Sequence, residues 1–221
     1  MIWLDRGARA ALVGLLLLAG CESAYYGAWE KLGVHKRDIL VDRVEEASEA
    51  QEAAKEEFES ALEKFTGVVD VPPSKLKDTY ESLNDAFEDS KSRAEKVSDR
   101  IDAVESVSKA LFEEWEDEID QISNVRLKSS SQKQLRNSRR QYNELITAMR
   151  RAESKMEPVL TAFQDQVLFL KHNLNAQAIA SLRGELAMIQ TDVAALVRDM
   201  EASIARSQAF IEDMQLLGGE S

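Results

Sequence analysis

Two histidines, one cysteine and a large excess of carboxylates are the side chains from which a reactive site would have to be built. They are His35, His172, Cys21 and 40 acidic residues in a chain of 221. A di-iron site between helices needs Glu-x-x-His pairs, because residues three apart share one helix face. The sequence has none, and the spacings Glu30 to His35 and Asp165 to His172 do not fit. It also lacks the G-x-S-x-G of a nucleophile elbow and the G-x-x-x-x-G-K-[ST] loop that cradles phosphates. A single cysteine excludes an internal disulfide and a multi-cysteine metal cluster. Glu45, Glu46, Glu49 and Glu52 fall mainly off the apolar face, as solvated side chains do. The expectation is no enzyme, no cofactor and no metal.

Cys21 has a more specific context. Residues 1–20 read MIWLDRGARAALVGLLLLAG, with Arg6 and Arg9 ahead of an apolar core from Ala10 to Leu18. That core has signal-peptide length and is short for a membrane span. Leu18-Ala19-Gly20-Cys21 follows it directly and looks like a bacterial lipobox. Cleavage would make Cys21 the first mature residue, acylated with palmitate-like chains. Two or three chains anchor a protein stably where one is marginal. Glu22 follows rather than an Asp. By resemblance to enterobacterial sorting, this favours the outer membrane over the inner. Tyr25, Tyr26 and Trp29 come next. They suit lipid headgroups, and they equally suit the start of a helix packed on a bundle end.

The elements that carry these residues follow from composition and period. Nine Gly and three Pro, with 31% charged side chains, describe long helices rather than a turn-rich β fold. A net charge of −12 argues against general nucleic-acid binding. In the second quarter, Leu76, Tyr80, Leu83, Phe87, Ser90, Ala94, Val97, Ile101, Val104, Ser108, Leu111 and Trp115 step four, three, four, three. That period keeps one face on a partner in a left-handed supercoil. Three more seams share it. One runs from Leu40 through Gln51 to Val68, one from Leu135 through Phe163 to Leu170, and one from Ile179 through Met200 to Met214, with Phe210 or Ile211 just before its end. Helices are expected over about 25–68, 74–122, 131–172 and 175–216, after a signal peptide at 1–20.

The breaks have local causes. Gly67 and Val71-Pro72-Pro73 end the first helix, and Ser74 is placed to cap the second. SNVRLKSSS, residues 123–131, reads as a loop. Pro158 is expected to kink or divide the third helix, and Asn173 or Asn175 to cap the fourth. Short connections favour an all-α, elongated, antiparallel four-helix bundle of up-down-up-down order. Two hairpins end to end, or a coiled coil pairing between chains, share the same heptads.

Charge is unevenly spread. Residues 113–120 hold six acids around Trp115 and no base, while residues 126–140 hold Arg126, Lys128, Lys133, Arg136, Arg139 and Arg140 and no acid. Facing each other across one loop, the two runs can neutralise one another and set register. In the up-down-up-down order the same pole also holds Lys36, Arg37 and the lipid anchor. The bases there form a candidate membrane-proximal patch for anionic headgroups. An apolar-ligand cavity between helices is the rival site, with Met149, Met156, Phe163 and the small seam from Ala47 to Ala54 as its lining.

The segments YYGAWEKLGVHKRDILVDRVEEASEAQE, SSSQKQLRNSRRQY, AMRRAESKMEPVL and VLFLKHNLNAQAIASL together resemble an uncharacterised family of bacterial coiled-coil lipoproteins, a domain of unknown function. The resemblance covers nearly the whole mature chain. It implies a helical envelope lipoprotein and brings no catalytic residue. The expectation is a lipid-anchored, periplasm-facing scaffold, spacer or interaction module. Its partners would be the membrane and envelope proteins or further copies of itself, without nucleic acid.

Overall fold

An apolar stripe on a long helix lowers its free energy only by meeting another stripe. The structure is a computed structural model that describes residues 35–68, 71–173 and 176–218. In it four long helices meet in this way: α1 (Lys36–Gly67), α2 (Leu76–Gln121), α3 (Val125–His172) and α4 (Ala176–Gly218). No strand occurs among the described residues. Helix α1 packs against α2 and α4, and α3 packs against the same two.

The seams read from the sequence are the buried faces. From Leu40 to Val68 every seam position of α1 is buried, including Ala47, Gln51 and Ala54. On α2 the buried run goes from Leu83 through Val97, Ile101 and Val104 to Leu111, with Tyr80 and Trp115 half-buried. On α4 it is Phe210 that is buried, while Ile211 is only partly covered. Phe163 of α3 joins the core across the helices. Its ring stacks on Phe65 with centroids 4.3 Å apart and planes 4° apart, and lies 6.3 Å from Phe58. Several buried polar side chains interrupt the apolar layers, and one pair of them bonds between helices. Ser203 Oγ donates to Gln51 Oε1 at 2.8 Å, leaving Gln51 Nε2 without a hydrogen bond. An unpaired buried donor costs about 1–3 kcal/mol. The pair joins α1 to α4 at one level of the core.

Two local expectations are corrected, and a third, at Pro158, is narrowed. Ser74 does not cap α2. It lies in a 3₁₀ turn, Pro73–Lys75, and the helix starts after Lys75 with no side-chain cap. The turn is closed by Lys75 N donating to the Pro72 carbonyl at 2.9 Å, so the chain enters the helix already wound. The α2–α3 connection is only residues 122–124, and α3 begins at Val125 rather than near Ser131. The cause is Asn124. It is extended at φ −77 and ψ 113, and its side chain accepts from the backbone N–H of Arg126 and Leu127. Those two bonds satisfy donors of the first turn, and the polar stretch behind them winds into helix. Pro158 does not divide α3, which runs unbroken from Val125 to His172. Pro158 and Ser154 are both exposed, so the carbonyl deprived of its donor faces solvent.

Asn173 closes α3 instead of opening α4: its Nδ2 donates to the Phe169 carbonyl at 2.9 Å. Asn175 lies outside the described residues, as does the expected helical stretch before His35.

Replacing Phe163 by Ala empties the stacked centre and should lower unfolding free energy by about 3–5 kcal/mol in urea titration. Pro158→Ala restores a backbone bond at an exposed site. It should raise stability by about 1–3 kcal/mol in the same assay.

Candidate functional site

The charged runs around Trp115 come together with the start of α1. Lys36 Nζ lies 2.9 Å from Glu114, and the Arg37 guanidinium sits 5.8 Å from the Trp115 ring centre. Chain entering α1 therefore meets the last third of α2. Beyond that level, α2 and α3 pack on each other through a small core of their own. Phe112, Ile119 and Leu135 are buried there, with Trp115 and Tyr142 packed against them, apart from the main core. The shift from a four-three to a four-four step after Leu111 marks the change of core. Leu111 belongs to the long core and Phe112 to the small one.

Polar contacts brace this end. Trp115 Nε1 donates to Ser131 Oγ at 2.9 Å. Arg139 donates to Glu116 at 2.5 Å and lies 5.4 Å from the Phe112 ring centre. Phe112 and Tyr142 meet edge to face at 5.5 Å. The Arg139 bond holds the Glu116 carboxyl below its ordinary range. Burial pushes the Tyr142 hydroxyl above its ordinary value of 10.0. Farther along, Arg150 reaches Asp102 at 2.5 Å, Glu105 at 2.6 Å and Glu153 at 2.8 Å. The Glu105 hydrogen bond is the largest reason its proton is held more tightly than usual.

The candidate basic patch divides into two sets. Lys128 pairs with Asp120 at 3.1 Å and Arg139 with Glu116, so mutual neutralisation accounts for these two. Arg140 donates to Asn137 at 2.9 Å. Arg126, Lys133 and Arg136 are exposed and make no ion pair with any described residue. Arg136, Arg139 and Arg140 also line an open groove of about 710 Å³ between α3 and α4, where Arg151 and Arg206 are tied to Asp199 and Glu144.

Sequence reasoning missed Val125 and Leu127, having left them in a loop. They are 81% and 61% exposed in the first turn of α3. The signal available was Asn124, a strong cap directly before them. Met149, Met156, Phe163 and the Ala47-to-Ala54 seam, the candidate cavity lining, are buried in the main core. His35 precedes α1 and His172 ends α3. From Ser131, beside Trp115, to His172 is roughly 60 Å of helix, so the two imidazoles cannot share a ligand. Among the described residues no cluster of metal-ligating side chains occurs, and no helix is long and apolar enough to cross a membrane. Cys21, Tyr25, Tyr26 and Trp29 lie outside the described residues.

These features define an all-helical protein whose long core ends in a braced, charged tip. The chain belongs to a family described as a protein of unknown function (DUF2959), whose family model matches residues 25–214. No curated protein and no solved structure matches it.

Leu135→Ala should loosen the small core by about 2–4 kcal/mol. Amide exchange should then accelerate over residues 116–134, while residues 83–104 of α2 keep their protection. Tyr142 is neutral in both folded and unfolded chains below pH 10. Above that pH the unfolded chain ionises first, so stability falls as pH rises. In a titration at 295 nm the latest tyrosine phase should disappear in Tyr142→Phe.

Proposed function

We propose that this protein is a non-enzymatic, lipid-anchored component of the bacterial cell envelope, serving as a spacer, scaffold or protein-interaction module. Its helices form an up-down-up-down antiparallel four-helix bundle. Partner positions support that order, because numbers rise on one helix as they fall on its neighbour. Glu46 pairs with Arg100 and Lys36 with Glu114. Arg150 pairs with Asp102 and Arg139 with Glu116. Arg151 pairs with Asp199 and Glu144 with Arg206.

The observation that carries the reading is where α1 begins. The chain leading back to the Leu-Ala-Gly-Cys motif enters beside Glu114 and Trp115, at the tip that carries the free bases. An acylated Cys21 would tether that pole, and the bundle would extend on the order of 70 Å from it at 1.5 Å per residue. Residues 22–34, fully extended, reach on the order of 40 Å, enough to bring the tip to the bilayer or let it stand away. The periplasmic face of the outer membrane is the location proposed. Envelope proteins or further copies of the chain would bind along the exposed faces, and nucleic acid is not a partner.

Mass spectrometry of the membrane-extracted protein should find acyl chains on Cys21, and the protein should fractionate with membranes. Cys21→Ala should lose the acyl chains. Intact, unmodified Cys21 in the mature protein would sink the anchor. Cross-linking in cells should yield a dominant envelope partner or a homo-oligomer. A lipid retained in native mass spectra would favour an apolar-ligand binding module instead.

A further inference from the structure

The small core of Phe112, Ile119 and Leu135 supports an end of the α2–α3 hairpin that runs past the level where Lys36 meets Glu114. From Trp115 to Gln121, α2 runs about 10 Å past the start of α1, while α4 continues beside α3 to Gly218, five residues beyond the contact of Asp213 with Gln141. The hairpin's outermost turn carries Val125 and Leu127, exposed at 81% and 61%, on either side of Arg126. Single exposed aliphatics are ordinary. Here two of them crown a braced projection, and no acid occurs between Gln121 and Asn143. Arg126, Lys133, Arg136 and Arg140 are the bases of that stretch without an ion pair among the described residues, and Arg140 donates to the neutral Asn137. The exposed Asp117 and Glu118 lie on the α2 side of the tip, so its basic face is the α3 side. Aliphatic side chains on that side, beside bases without an ion pair, match the layering of a lipid interface, where acyl carbons lie beneath anionic phosphates.

We propose that residues 122–133 form a membrane-interface wedge. Val125 and Leu127 enter an anionic phospholipid surface, and Arg126, Lys133 and Arg136 pair with its phosphates. The wedge rests on the reading above for its closeness to a bilayer, since Cys21 would tether the same pole. It makes a second contact beside the acyl chains, so the bundle meets the surface end-on. The paired Lys128 and Arg139 hold the tip in shape, leaving the unpaired bases for lipid.

The chain has a single cysteine, so a label on Leu127→Cys is unique once Cys21 is acylated. The full-length protein, labelled there with a polarity-sensitive dye, is reconstituted into phosphatidylcholine vesicles with or without 30% phosphatidylglycerol. A label on Glu88→Cys, on the exposed face of α2 well away from the tip, is the reference. The dye at 127 should shift to the blue and be quenched by nitroxide lipids in the anionic vesicles only, with the dye at 88 unaffected. Arg126→Gln with Lys133→Gln should reduce the quenched fraction several-fold, and Val125→Asp should abolish it while circular dichroism stays unchanged.

Equal quenching in neutral vesicles, or quenching at both positions, overturns the end-on wedge. So does a dye at 127 that is already shielded from iodide without lipid, because residues 22–34 or a second copy would then cover the tip. Acylated Cys21 with no quenching leaves the anchor standing and removes the wedge. Quenching in a Cys21→Ser background, when native Cys21 proves unacylated, keeps the wedge and removes the anchor.

Discussion

Everything in this molecule depends on one constraint: a long helix cannot bury its own apolar stripe. Each of the four helices carries a seam in steps of three and four, and each finds two neighbours to cover it. The stacked rings of Phe65 and Phe163 show how closely those seams approach. A continuous seam resists sliding poorly by itself, because one heptad looks much like the next. Gln51 and Ser203 add a contact that is satisfied in a single alignment. The unpaired Gln51 Nε2 is the cost of that specificity.

The ionic contacts do a different job. Most sit at the margins of the buried seams, where water screens them, and each contributes little alone. The Arg150 cluster is more than a pair, joining two carboxylates of α2 to one on its own helix. Its effect is to hold α2 and α3 in register near the point where the main core gives way to the small one. Beyond it, Arg139 with Glu116 and Lys128 with Asp120 continue the same ladder to the tip. The acidic and basic runs that dominate the charge map are thereby partly consumed. Bases are left over on α3, and Glu113, Asp117 and Glu118 are left over on α2.

The tip is the end of the bundle at which α1 begins. The sequence motif at Cys21 lies before α1, and α1 begins beside Trp115. Here the end near that motif is also the one with its own core, an indole-to-serine hydrogen bond and exposed aliphatics. The opposite end also exposes apolar side chains, Leu168 and Phe169 near the end of α3, but among the described residues it has no separate core. Connection chemistry there is plainer: Gly67, two prolines and a 3₁₀ turn reverse the chain between α1 and α2.

Periodicity made the helices and their buried faces legible from sequence, because a 3.5-residue step keeps apolar side chains on one face only if the chain is helical. Leu40 to Val68 on α1 and Leu135 to Leu170 on α3 sit where their spacing put them. Punctuation was legible only in part. Gly67 and Pro72 stop a helix wherever they fall, whereas Ser74, Asn124 and Pro158 depend on their neighbours. Ser74 was taken up by a tight turn, Asn124 started α3 about two turns early, and exposure let Pro158 be tolerated. The sequence alone determined helix, seam and the Leu-Ala-Gly-Cys motif, all of which are local patterns. Tertiary structure alone decided which bases are neutralised, that Phe112 leaves the main core, and that Val125 and Leu127 crown a braced tip. Those outcomes depend on residues brought together from different helices, and no local spacing encodes such distances.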